Sequence, residues 1–169
     1  MIVRQETPDD FEAVFRVHRE AFGRPDEARL VERLRAAEEF IPALSIVAEE
    51  DGQLIGHVIL TRARLEDREV LTLGPLGVLP AWQNVGIGSA LVRDALARTR
   101  ALGAELIAVL GHPTYYPRFG FVPARSLGIT SDYSEDAFMA LELVPGSARG
   151  GGHIRYAAPF AESGSARER

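Results

Sequence analysis

Apolar residues recur at helical spacing in the opening run TPDDFEAVFRVHREAFG, where Phe11, Val14, Phe15, Ala21 and Phe22 share one face. Thr7 is a good cap, Pro8 suits the first helical position, Asp9 and Asp10 put acid in the first turn, and Gly23 supplies the stop. A second amphipathic helix is expected from Asp26 to about Ala37, with Leu30 and Leu34 inward. The pattern then changes period. ALSIVAEEDGQLIGHVILTRARL holds two β-rich runs around Asp51-Gly52, a dipeptide whose easy positive φ suits a hairpin turn. EVLTLGPLGVLP is apolar on both faces of its centre, as an interior strand is, yet Pro75 cannot donate a ladder bond there and predicts a bulge or a break in pairing.

From about Gly86 to Leu102 the helical period returns through Gly88, Leu91, Val92, Ala95, Thr99 and Leu102, with Gly103 past the end. AELIAVLG is the next strand, so this strand, helix and strand should form a parallel right-handed crossover. AFMALEL and HIRYAA read as two later strands joined by VPGSARGGG. No internal repeat and no second core is visible, which gives one domain over 1–160 and a flexible tail over 161–169, ESGSARER at its end.

At 169 residues a single domain hides enough surface to hold itself together, roughly 70% of what the unfolded chain exposes. Its 46% hydrophobic and 25% charged residues are those of an ordinary globular protein. The absence of cysteine rules out disulfides and thiolate metal sites, and His18, His57, His112 and His153 lack ligand spacing, so no metal is expected. An acidic N-terminus without a signal core, and no apolar stretch near about 18 residues, point to a cytoplasmic protein with no membrane partner. A formal net charge of -5 with scattered arginines gives nucleic-acid binding little support.

The chemistry concentrates in QNVGIGSAL, residues 83 to 91. A helix start offers N–H groups without intrahelical partners and a partial positive charge, and glycines at 86 and 88 let a phosphate approach that backbone. The phosphate loop of nucleotide hydrolases is excluded because no lysine follows either glycine. A dinucleotide turn fits poorly, since Leu91 stands at the third glycine position and Glu105 opens its strand instead of closing it.

Gln83, Asn84, Val85, Gly86, Ile87 and Gly88 do satisfy the pattern Q/R-x-x-G-x-G/A. Here, and in LGPLGVLPAWQNVGIGSALV, GHPTYYPRFGFVPA and, more weakly, FMALEL, the chain resembles the GNAT superfamily of N-acetyltransferases and its YhbS-like branch, from about residue 2 to 160. The resemblance implies an α/β (α+β) fold: a mixed, mostly antiparallel sheet of about six to seven strands, helices on both faces, and a splay between the fourth and fifth strands at about 70–79 and 104–111. It implies acetyl-CoA as co-substrate in that splay, with Leu76, Gly77 and Val78 beside the pantetheine arm and Gln83, Asn84, Val85, Gly86, Ile87, Gly88 and Ser89 at the pyrophosphate.

It also implies acetyl transfer to a primary amine of a small molecule or peptide by direct attack in a ternary complex. Tyr116 is the candidate proton donor to the leaving thiolate, because a phenol titrates near 10 and keeps its proton at neutral pH; Tyr115 is the lesser candidate. Many relatives carry an asparagine after the fifth strand where this chain has Gly111 and His112. His112 is an acid, a base or only a loop residue, the last being favoured. Two residues are candidates for the general base: Glu142, on one strand face with Phe138 and Ala140, and His57, in LIGHVIL. The acceptor site is expected between the first two helices, loop 112–118 and the loop ARSLGITSDYSEDA, whose Asp132, Glu135 and Asp136 either attract an ammonium or are ordinary solvated charge. A non-catalytic acyl-CoA sensor is the rival reading. Monomer and homodimer both remain open.

Overall fold

The computed structural model describes residues 1–133 and 135–162; Ser134 and the tail from 163 to 169 lie outside the described residues. In chain order the elements are β1 (Ile2–Gln5), α1 (Phe11–Phe22), α2 (Asp26–Arg35), β2 (Phe40–Glu50), β3 (Gln53–Leu65) and β4 (Arg68–Val78). They continue with α3 (Ile87–Ala101), β5 (Leu106–Leu110), β6 (Val122–Pro123), β7 (Ile129–Thr130), β8 (Phe138–Glu142), β9 (Gly152–Arg155) and α4 (Pro159–Glu162). The short α4 takes up residues 161 and 162, which the sequence assigns to the tail.

The main sheet runs β1-β2-β3-β4-β5-β8-β6, close to the expected strand number, while β9 branches from β3 and pairs with β7. Along that path only β4 and β5 are parallel. The hairpin between β2 and β3 turns on Asp51 and Gly52 at φ 50° and 79°, the paired positive angles that a two-residue turn needs to match strand twist. Helices cover both faces. Leu91, Val92 and Ala95 of α3 pack with Ile46, Ala48, Val58 and Leu60. Val14 of α1 and Leu30, Val31 and Leu34 of α2 pack on Val47 and Ile59 from the other side. Alternation along β2 and β3 thus splits one apolar run between two cores.

The phase of α1 differs from the hydrophobic count. Pro8–Asp10 forms a 3-10 turn in which the Asp10 carboxylate accepts from the Thr7 N–H at 2.8 Å, and the α-helix starts only at Phe11. Phe11 is left 41% exposed beneath the Arg35 guanidinium, 4.0 Å from its ring centre. The buried stripe is Val14, Val17 and His18. A polar residue at full burial is invisible to a hydrophobic period. Leu102, expected on the inner face of α3, stands just past the helix end and is exposed.

Candidate active site

Strands β4 and β5 stay paired only where Leu71, Thr72 and Leu73 meet Ile107, Ala108 and Val109. On its other side β4 slips against β3 between the pairs Leu60–Leu73 and Val58–Leu76, so Gly74 and Pro75 form the irregularity that Pro75 predicts. Beyond Leu73 the two strands separate. A cleft of about 900 Å³ opens between them, with Leu73, Gly74, Leu76 and Val78 on one wall and Leu110 and Gly111 on the other. Among the described residues, the β5-facing edge of β4 has no strand partner after Leu73. Its backbone groups are available to an extended, amide-bearing ligand.

The glycine turn closes one end of this cleft. Gln83 donates its side-chain amide to the Val78 carbonyl at 3.0 Å, tying the turn to the end of β4. Asn84 and Gly86 take φ of 63° and 92°, and Gly86 caps α3 in the left-handed region. The Ala90 N–H makes the helical bond back to the Gly86 carbonyl, so the N–H groups of Ile87, Gly88 and Ser89 precede the first helical donor. Gln83, Asn84, Gly86, Gly88 and Ser89 line the cleft. The Ile87 side chain turns into the core and Val85 points to solvent; neither side chain lines it. A Cβ at Gly88 would lie 3.3 Å from the Tyr115 hydroxyl, which itself sits 3.0 Å from the Ser89 hydroxyl.

Leu76 and Val78 face the cleft, whereas Gly77 faces the opposite layer, where a Cβ would come within 2.8 Å of His18 Nδ1. The missing side chain at Gly77 makes room for an imidazole beneath α1. Tyr116 reaches the cleft from a 3-10 turn over Tyr116–Phe119, its ring buried against Phe121 and Phe119 at centroid distances of 5.5 and 6.3 Å. A Cβ at Gly111 would collide with the Tyr116 ring. That contact is a physical reason for glycine directly after β5. His112 is exposed in the lining.

His57 does not line the cleft. It is fully buried in a hydrogen-bonded chain: Arg35 to Glu6 at 3.0 Å, Ser45 to Glu6 at 2.8 Å, Ser45 to His57 Nε2 at 2.8 Å, and His57 Nδ1 to His18 Nε2 at 2.7 Å. The proton order follows from the acceptor at the end. Glu6 is an ion-paired carboxylate and only accepts, so the Ser45 hydroxyl proton points at it. His57 must then donate from Nε2, which leaves Nδ1 to accept from His18. Burial, then the neighbouring His18 and the Arg35 guanidinium, push His57 well below the usual imidazole range. A neutral ring is what this chain requires.

Glu142 lies at the end of β8 and accepts from the Ala148 backbone N–H at 2.9 Å, outside the cleft lining. Asp132 pairs with His153 at 3.0 Å and Asp136 stands 3.8 Å from Arg125, neither of them in the lining; the side chain of Glu135 is outside the described set. Phe22, Leu73, Leu110 and Arg118 line the cleft without having been singled out. Arg118 lies within the quoted YYPRFGF. The hydrophobic period places Phe22 on the apolar face of α1, and packing brings it to the cleft.

The Acetyltransferase (GNAT) family model matches residues 11–121. The N-acetyltransferase YjhQ of Escherichia coli K12 is 37% identical over 153 residues, 85% of this chain and 84% of that one. Its YhbS counterpart from the same strain is 33% identical over 124 residues, 72% and 73% of the two chains. A crystal structure of Escherichia coli YhbS in complex with CoA superposes with a TM-score of 0.89 at 28% identity, covering 95% of this chain and 91% of that one. A Brucella melitensis GNAT acetyltransferase in complex with acetyl-CoA gives 0.80 at 35% identity, covering 94% and 97%.

Proposed function

The chain belongs to the GNAT acetyltransferase family, and from that premise we propose that it transfers an acetyl group from acetyl-CoA to a primary amine by direct attack in a ternary complex. One observation carries the reading: an unpaired β4 edge, a row of helix-start amides and a buried phenol all open on the same cleft. When bound, acetyl-CoA supplies an acetyl group activated as a thioester.

The residues divide the remaining tasks. The N–H groups of residues 87–89 and the Ser89 hydroxyl hold a diphosphate at the positive end of α3. The β4 edge past Leu73 aligns the amides of the pantetheine arm. Gly86 and Gly88 keep Cβ atoms out of the approach path. The phenolic Oη of Tyr116 is the proton source on the cleft wall for a departing thiolate. Leu73, Leu110 and Phe22 exclude water from that wall.

The geometry favours neither base candidate from the sequence. His57 sits inside a closed polar chain and Glu142 is engaged with the Ala148 N–H. We therefore assign both a structural part, with amine deprotonation left to solvent in the open cleft. Thiol release from acetyl-CoA across a panel of amines, polyamines, amino acids and peptides tests the proposal. Release with one acceptor class supports it. Cofactor binding with no release from any of them would favour the sensor reading.

A further inference from the structure

We propose that Arg118 is a second phosphate-binding arm of this cleft, one that reads the 3′-phosphate on the nucleotide end of coenzyme A. This rests on the acetyl-CoA reading above and adds a residue to it. Arginines in this acidic chain are commonly committed to carboxylates: Arg4 to Asp10 and Glu49, Arg35 to Glu6, Arg98 to Asp94. Arg118 pairs with no carboxylate among the described residues, and it is the one guanidinium among those lining the cleft.

Its direction is nevertheless fixed. Nε donates to the Tyr115 carbonyl at 2.8 Å, and the guanidinium carbon lies 4.3 Å from the centre of the Tyr115 ring. That anchoring uses one donor and one face. The two terminal nitrogens keep their N–H groups for a ligand, already ordered, in the forked arrangement that suits a phosphate. Little side-chain entropy remains to be lost on binding.

Location selects the phosphate. Tyr115 touches Ser89 with its hydroxyl edge and carries Arg118 on its face. The guanidinium therefore lies to the side of the helix mouth, on the exposed rim, while the amides of residues 87–89 hold the mouth itself. A ligand that satisfies both must carry two phosphate groups separated by a spacer. Coenzyme A has a diphosphate on the 5′ side of its ribose and a single phosphate on the 3′ side. The diphosphate is matched to the amides and the 3′-phosphate to Arg118.

Isothermal titration of the full chain with coenzyme A and with dephospho-coenzyme A, which lacks only the 3′-phosphate, tests this directly. Wild type should bind coenzyme A roughly tenfold tighter than dephospho-coenzyme A, the scale of one charge-assisted contact at an exposed site. Arg118→Gln should erase that preference by weakening coenzyme A alone, with dephospho-coenzyme A unchanged within about twofold. Arg118→Lys, which keeps charge and loses the fork, should restore part of it. Equal loss for both ligands would place Arg118 on the diphosphate or on the fold of Tyr115 and overturn the assignment. No loss for either ligand would also overturn it, as would a wild type that does not distinguish them. Wild type binding neither ligand would instead sink the acetyl-CoA reading itself.

Discussion

Two polar regions lie on opposite layers of the sheet and treat their hydrogen-bonding groups in opposite ways. Beneath α1, Arg35, Glu6, Ser45, His57 and His18 form one continuous hydrogen-bonded chain whose serine and two imidazoles are fully buried. At the start of α3, Gly86, Gly88 and Ser89 line an open cleft, with the exposed Arg118 among its lining residues. The first region uses polar groups to fix elements in place. The second keeps part of its hydrogen-bonding capacity facing the cleft. A buried polar group is stabilising only when every partner is present, whereas donors at a wet rim can wait for an anion at small cost.

The comparison predicts which changes damage the fold and which damage binding. The largest effect on stability should come from Glu6→Ala, which strips a carboxylate from Arg35, Ser45 and the buried imidazoles. A loss of about 3 kcal/mol is expected, read as a lower denaturation midpoint with an unchanged m-value. Coenzyme A affinity of the folded fraction should stay at the wild-type value; a parallel loss of affinity would break the separation between the regions.

Tyr116→Phe should do the reverse. Turnover should fall about a hundredfold if the phenol donates the proton, with coenzyme A affinity nearly unchanged by calorimetry. Equal turnover would remove Tyr116 from the mechanism. Gly86→Val places a β-branched residue at φ 92°, a strain on the order of 1–2 kcal/mol, and brings a side chain to the phosphate approach. Affinity should drop tenfold or more, while unchanged affinity would move the ligand away from this turn.

The smallest effect per step is in pH. His57 is held below its ordinary value by burial, His18 and Arg35, so the unfolded chain binds a proton near pH 6.5 that the folded chain refuses. Its contribution is complete above that pH and is lost on acidification, at a slope of up to about 1.4 kcal/mol per pH unit. His57→Gln should flatten the stability curve as pH falls below about 6.5. An equally steep curve in that variant would assign the titration to other groups.

Much of the scaffold is written locally. Period and caps mark the hairpin at Asp51-Gly52 and the start of α3 at Gly86, because turn residues and side-chain spacing act over a few neighbours. Pro75 marks the slip in β4 through its missing donor, and with it the place where the sheet opens. The glycines at 86 and 88 mark an open helix start for the same local reason: neither carries a Cβ. Nothing local shows that His18, one of four histidines without ligand spacing, and His57, a base candidate in LIGHVIL, meet across 39 residues.

Distance in the chain is also why the clearance that Gly77 gives His18 is not legible in the sequence. Tyr115, rather than Tyr116, meets Ser89, and Phe22 comes to share a cleft with Arg118, only after β4 and β5 separate. Residue types and their spacing thus determined the elements, the opening strand and the phosphate-ready turn, because each follows from backbone sterics within a few positions. Tertiary packing decided which polar groups are consumed internally and which remain exposed to a ligand, because partner choice depends on side chains brought together from separate elements.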